Sequence, residues 1–295
     1  MAIIRTLSEW QRRASDYPAV EPTKSVLMAA ADFFDVKEAH NNHMRDEDGE
    51  LRKVDKQAAM QEWQQLHDSF ADNGLNVEVL PAIGGMHDLV FTANPSFIVP
   101  HYRHAWRASM AHLSRRAEVE VHQQFFAGQG FEIKGLSTAN IKFEGHGDGL
   151  WHPQRLLLHA AVGQRSDLRG WQEIDDAYPE LDILLYELRH EDFYHLDTAL
   201  ACLDEQTALF IGDAFDDDGL ELINAAFPKA LALNDFEAYQ FAGNAFCADG
   251  RNVFIEQGCD ALYEKLTARG FEVHPVATQQ FRLSGGSVFC LKQAY

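Results

Sequence analysis

Apolar and polar positions follow two alternating periods along this chain. Within 57–73, Ala58, Met60, Trp63, Leu66 and Phe70 fall at helical spacing and predict an amphipathic helix. Residues 75–81, Leu-Asn-Val-Glu-Val-Leu-Pro, then alternate with a period of two, which predicts a strand. The succession recurs. A polar, helix-like stretch at 106–128 precedes Phe131-Glu132-Ile133-Lys134, and 261–269 precedes Gly270-Phe271-Glu272-Val273-His274-Pro275, with Gly270 placed as a helix C-cap. Residues 181–188 read as a strand on their own. Helices alternating with short strands predict an α/β fold.

Polar groups follow these strands at a regular interval. Asn41, Asn94, Glu144, His195, Asn244 and Cys290 are separated by 53, 50, 51, 49 and 46 residues. Five similar β-rich units around a central axis would give this spacing, each contributing a loop to one shared site. No Pro-, Gly- or Ser-rich linker divides the chain, so a single domain over 1–295 is expected.

Composition narrows the function classes. A chain of 295 residues that is 46% hydrophobic and 24% charged is an ordinary globular protein rather than a disordered one. Residues 1–25 carry Arg5, Glu9, Arg12, Arg13, Asp16 and Glu21 and lack the apolar core of a secretory signal, and no apolar run approaches a membrane span. Cys202, Cys247, Cys259 and Cys290 form no C-x-x-C pair, so free thiols in a reducing compartment are expected, and with them a cytoplasmic location. A net charge of −20, from 25 basic and 45 acidic residues, disfavours nucleic acid and favours a small cationic partner. The oligomeric state, monomer or homo-oligomer, stays open.

Two acidic tracts carry little chemistry. Residues 45–50 read as a charged surface loop, and 213–219 lack carboxylates at the first and last positions of a calcium loop, where Ala214 and Ala225 stand. The pairs His40 and His43, His87 and Asp88, and His190 and Glu191 form neither H-E-x-x-H nor a ligand triad, so no metal is expected. Gly145, Gly147 and Gly149 are too tightly spaced for a dinucleotide loop. No organic cofactor is expected either.

The residues that can do chemistry lie elsewhere. Gly285 and Gly286 let the backbone approach a ligand, and Cys290, expected on or just after a short apolar strand, is the candidate nucleophile. Glu144 and Asp148 stand four apart among glycines, and a carboxylate suits a planar cation because it accepts two parallel N–H bonds. His195 and Asp197, two apart, would share one face of a strand. A thiolate, an imidazole that protonates a departing amine, and carboxylates that hold a cation together fit one electrophile: the central carbon of a guanidinium.

The sequence at this point resembles the guanidino-modifying superfamily of arginine deiminases, dimethylarginine dimethylaminohydrolases, amidinotransferases and arginine dihydrolases. The matching pieces are Phe33-Phe34-Asp35-Val36 with Asn41 and Met44, Asp88-Leu89-Val90-Phe91-Thr92-Ala93-Asn94, Phe143-Glu144-Gly145 with Gly147-Asp148, His195-Leu196-Asp197-Thr198, and Gly285-Gly286-Ser287-Val288-Phe289-Cys290. The resemblance implies a pentein-type five-bladed β/α propeller with its site on the axis and no metal or cofactor. It implies that Cys290 forms a thiouronium intermediate, that His195 protonates the leaving group and activates water, and that Glu144 clamps the guanidinium. Asn41, Asn94, Asp197, Arg165 and Asn244 are the expected substrate-binding residues, with Arg165 placed like the family's binder of the substrate carboxylate.

Asn94 stands where deiminase-like members carry aspartate, which puts arginine dihydrolysis to ornithine, ammonia and carbon dioxide ahead of deimination to citrulline. Amidinotransfer and dimethylarginine hydrolysis are the enzymatic alternatives, and a non-catalytic arginine-binding protein is the alternative of another class. The chain departs from the pattern at Ala29-Ala30-Ala31, at Asn42 and His43, and at Ser284, which replaces the first glycine of a triple.

Overall fold

The computed structural model describes residues 2–137 and 140–295. Strand β1 (Ala2–Ile4) leads to β2 (Ser25–Ala29), helix α1 (Lys56–Asp72) and β3 (Asn76–Leu80). Next come β4 (Ser96–Val99), β5 (His104–Arg107), α2 (Arg116–Gly128) and β6 (Glu132–Lys134), then β7 (Gly149–Trp151), β8 (Leu157–Val162), α3 (Leu168–Ala177) and β9 (Asp182–Glu187). A one-turn helix, α4 (Leu196–Ala199), opens onto β10 (Leu200–Cys202), β11 (Ala208–Phe210), α5 (Asp217–Ala226) and β12 (Leu231–Ala232). The order finishes with α6 (Asp235–Tyr239), β13 (Phe246–Cys247), β14 (Asn252–Glu256), α7 (Asp260–Ala268), β15 (Glu272–Val276), α8 (Gln279–Arg282) and β16 (Gln293–Ala294).

Among the described residues the strands form five small sheets, and all five repeat one plan. In each, a first antiparallel pair is followed by a parallel pair: β16-β2-β3, β4-β5-β6, β7-β8-β9, β10-β11-β12 and β13-β14-β15. Parallel neighbours require a crossover, and α1, α2, α3, α5 and α7 supply it in turn. Two sheets draw on distant segments: β1 adds to the edge of β9, and β16 completes the sheet of β2 and β3.

Helix α1 starts where Asp55 accepts hydrogen bonds from the amides of Gln57 and Ala58, and it buries Ala59, Leu66 and Phe70. Its buried stripe is rotated from the one predicted. Met60 is 48% exposed and Trp63 only half-buried, because Ala59 and Glu62 face inward and Glu62 accepts the Gln280 amide. The stretch 106–128 is α-helical only from Arg116, after a 3-10 turn at Leu113–Arg115. Trp106 belongs to β5, where its register partners are Phe97 and Lys134 and its indole N–H donates to the Tyr178 hydroxyl at 2.7 Å. Pairing with β4 and β6 overrides the local helical pattern there.

Gly270 adopts φ +96°, the left-handed conformation of a helix C-terminus. Asp216 caps α5 through the amide of Gly219, which accounts for the acidic tract around it. All four cysteines are free. No described helix is long and apolar enough to cross a membrane.

Candidate active site

The segment carrying Cys290 is shaped by two glycines and one asparagine. Gly285 has φ +80°, and a Cβ there would lie 2.8 Å from the Tyr194 hydroxyl and 2.9 Å from Asn41 Nδ2. A Cβ on Gly286 would press to 2.5 Å from the Phe91 ring. Beyond them, Asn244 Oδ1 accepts the amides of Ser287, Phe289 and Cys290 at 3.0, 3.1 and 3.2 Å. The segment is therefore a turn tied to Asn244, and Cys290 precedes strand β16 instead of sitting on or after a strand. Asn244 Nδ2 donates to Cys290 Sγ at 3.2 Å and to the Asp197 carbonyl at 2.7 Å. Asn244 thus holds the sulfur's surroundings and does not line the pocket.

His195 is the N-cap residue of α4, so it and Asp197 share a helical turn and not a strand face. The turn is held by Thr198 Oγ1 donating to the His195 carbonyl and by the Leu196 amide donating to Asp148 Oδ1. His195 Nε2 meets Glu144 Oε2 at 2.8 Å. Glu144, fully buried, also accepts the Ala111 amide at 2.9 Å and an Arg165 N–H at 3.1 Å. Its loop needs glycine for packing: a Cβ on Gly147 would lie 2.4 Å from Asn94 Nδ2 and 3.1 Å from the His195 ring.

Cys290 Sγ donates to Asp197 Oδ2 at 3.1 Å, and both groups are buried. Burial, then the Asp197 charge, pushes the Cys290 thiol well above its ordinary range. Burial pushes the Asp197 carboxyl up to about 7 despite the Cys290 hydrogen bond and the nearby Lys292 ammonium. Burial works in the same sense on Glu144, but the His195 hydrogen bond and the Arg165 guanidinium outweigh it and hold that carboxyl well below the usual range. These shifts favour a protonated thiol at Cys290 and an ionised carboxylate at Glu144.

A small hollow of about 20 Å³ lies over the sulfur, lined by Asn41, Asn94, Arg115, Arg165, His195 and Cys290 among others. Asn41 Nδ2 donates to the Tyr194 hydroxyl and the Ser284 carbonyl, while its Oδ1 is buried without a partner. Asn94 Oδ1 accepts from Arg115, and its Nδ2 is likewise unpartnered; so is Asp197 Oδ1. Such orphaned buried groups mark places where a ligand completes the hydrogen bonding. Arg165 reaches the hollow while bonded to Glu144 and the His40 carbonyl and stacked over Tyr194.

Each site residue expected from the sequence is thus gathered around one sulfur, in two layers. Asn41, Asn94, Arg165, His195 and Cys290 line the hollow; Glu144, Asp197 and Asn244 stand behind them. Arg115 was not foreseen. It enters the hollow from the start of α2, paired with Glu118 and bonded to Asn94. In sequence it is one more basic residue at a helix start, normally solvated, and only its burial distinguishes it. Among the described residues no cluster of three or more His, Cys, Asp or Glu side chains could hold a metal ion.

Known proteins resemble this chain in sequence and in fold. A family model described as N,N dimethylarginine dimethylhydrolase, eukaryotic, matches residues 30–293. The chain is 33% identical over 268 residues, 91% of its length and 84% of the relative's, to N(G),N(G)-dimethylarginine dimethylaminohydrolase of Mycobacterium tuberculosis. It is 29% identical to the bifunctional arginine dihydrolase/ornithine cyclodeaminase AgrE of a Nostoc species, covering 90% of this chain and 37% of that longer protein. Among solved structures, the N-terminal domain of the arginine dihydrolase ArgZ superposes with a TM-score of 0.85 at 27% identity, over 92% of this chain and 97% of that one. The α/β arrangement of small sheets is shared with these enzymes. The chain therefore belongs to the N,N dimethylarginine dimethylhydrolase family, within the guanidino-group-modifying superfamily whose motifs its sequence carries.

Proposed function

We propose that this protein hydrolyses the guanidinium C–N bonds of an arginine-like amino acid through a covalent Cys290 thiouronium, running two rounds from arginine to ornithine. The five sheets are read as blades of one propeller spanning 1–295, with the site on its axis. The substrate cation drives the thiol proton out past Asp197 to solvent, and Sγ attacks the central carbon. The C–N bond breaks as His195, oriented by Glu144 on Nε2, delivers a proton from its other ring nitrogen to the departing ammonia. Water, deprotonated by the same imidazole, then cleaves the C–S bond and releases a ureide. A second round on the ureide gives ornithine, ammonia and carbon dioxide.

The observation that supports this reading best is the set of unpartnered polar atoms beside the sulfur. Asn41 Oδ1 and Asp197 Oδ1 are acceptors, which a guanidinium can satisfy with its N–H groups. Asn94 Nδ2 is a donor, which no nitrogen of a guanidinium can satisfy but the carbonyl oxygen of a ureide can. A donor held for a ureide favours a second hydrolysis over release of citrulline. Arg115 and Arg165, the basic groups of the hollow, are assigned to the substrate carboxylate. The second reading is hydrolysis of methylated arginine to citrulline and an alkylamine, favoured by the family description and by the mycobacterial relative.

Incubation with arginine, methylated arginines and agmatine, with mass-spectrometric detection of ammonia, alkylamine, citrulline and ornithine, separates the readings. Ornithine with two ammonia per arginine supports the dihydrolase. Citrulline with dimethylamine from dimethylarginine supports the second reading. Turnover of none of these guanidines overturns both and leaves a binding protein.

A further inference from the structure

We propose that a second cleft, separate from the catalytic hollow, binds a small organic carboxylate on a flat apolar body, with Lys292 as its counter-charge. The cleft encloses about 520 Å³, within the range of small-molecule sites at roughly 300–1,000 Å³. It shares no lining residue with the hollow over Cys290. Only Leu291 separates the two along the chain, since Cys290 faces one space and Lys292 lines the other.

Lys292 is 1% exposed, an unusual state for a lysine. Its Nζ lies 3.0 Å from the centroid of the Phe289 ring and 4.4 Å from that of Phe246. Cation–π contact stabilises an ammonium but leaves its three N–H donors without acceptors. No described residue gives Nζ a hydrogen bond or places a carboxylate within 4.0 Å. Burial outweighs the Asp197 charge and lowers this ammonium to about 7, so at pH 6.5 a cation with no bonded acceptor lines the cleft, which calls for an acceptor supplied from outside.

The rest of the lining defines the ligand's class. Leu150, Trp151 and Phe246 offer apolar and aromatic faces, while exposed Glu21 and His101 mark the rim. Lys292 is the sole lysine or arginine on the described walls, so one negative charge is matched and a dianion is not. His146 and His152 bring no second charge: burial holds both imidazoles neutral, and their ring nitrogens bond to Gly149 and Ile98, and to His159 and Glu205. A guanidinium would meet the ammonium with like charge, so this is not a second substrate site.

Isothermal titration calorimetry of the full chain at pH 6.5 with 2-naphthoate and its neutral isostere 2-naphthamide tests the assignment. One naphthoate per chain is expected, bound at least tenfold more tightly than the amide and not displaced by arginine. Lys292→Met should bring acid and amide to the same affinity. Ala248→Trp, which fills the cleft away from the catalytic residues, should abolish both while circular dichroism stays native. Equal binding of acid and amide to the unaltered protein, retention of the preference in Lys292→Met, binding that survives Ala248→Trp, displacement by arginine, or no naphthoate binding would each overturn it.

Discussion

Cys290 keeps its proton while the site is empty, because burial and the neighbouring Asp197 both oppose a second negative charge. A bound guanidinium reverses that balance by placing a cation against the sulfur, so ligand binding and thiol ionisation are linked. Calorimetric titration of a slow substrate at pH 7.5, in buffers of different ionisation enthalpy, should show release of roughly one proton per ligand bound. Binding without proton release would mean that the thiol is already ionised. Cys290→Ala should keep the fold and lose all turnover as well as this proton signal; activity in that variant would remove the nucleophile. Asn94→Asp exchanges the unpartnered donor proposed to meet a ureide for a carboxylate, and under that proposal the product ratio should move from ornithine toward citrulline. An unchanged ratio would separate Asn94 from the second hydrolysis.

Much at this scale is legible in the sequence, because Cys290, His195 and Glu144 stand out by residue type and the structure gathers them around one hollow. What type does not reveal is which layer a residue occupies. Asn244 was expected at the substrate and instead organises three amides; Glu144 was expected to clamp the guanidinium and has both oxygens engaged by Ala111, Arg165 and His195.

At the scale of elements, the turn between α8 and β16 does what a strand was expected to do. Asn244 Oδ1 is its fixed point, and its removal leaves buried amides unpaired. Asn244→Ala should destabilise the protein by roughly 3 kcal/mol. It should also lower kcat by roughly 100-fold through misplacement of the sulfur. Stability by urea titration and single-turnover kinetics would separate the two effects, and a variant with native kcat would release Asn244 from this role. Gly286→Ala forces a methyl against Phe91 and should lower kcat with little change in KM. The periodicity of 57–73 located α1 to within a residue at each end, because capping and spacing are local. It misassigned Met60 because the inward face is chosen by what the helix packs on, and Trp106 because cross-strand partners are set by distant residues.

The whole molecule carries a set of buried neutral histidines. Burial lowers His122 and His146 to about 3 and His152 to about 4, and takes His159 well below its ordinary value. The unfolded chain takes up protons at these positions below about pH 6.5 while the folded chain does not, so their contribution falls as pH drops from 6.5. Glu118, Asp197 and Glu256, raised by burial to about 7, and Asp148, raised to about 6, act in the opposite sense between pH 4 and 7. His40, His43 and His112 are lowered as well, so seven histidines outweigh these four carboxyls, and each net proton changes stability by about 1.4 kcal/mol per pH unit. The urea midpoint should therefore be lower at pH 5 than at pH 7; an equal or higher midpoint at pH 5 would contradict this balance. The regular spacing of Asn41, Asn94, Glu144, His195, Asn244 and Cys290 foretold a repeated architecture, and the five sheets repeat one strand plan. The pairing of β16 with β2 could not be read from it, because a two-residue strand has no period of its own.

That pairing has a consequence for biosynthesis. A ribosome that has translated through α7 has made β2, waiting at the front of the chain with an unfilled edge, and the imidazole and carboxylates of the site, but not yet the sulfur. Cys290 and the strand that follows it emerge together, after Glu144, His195 and Asp197. If Cys290 is the nucleophile, guanidine cleavage waits on the segment that ends with β16 pairing against β2.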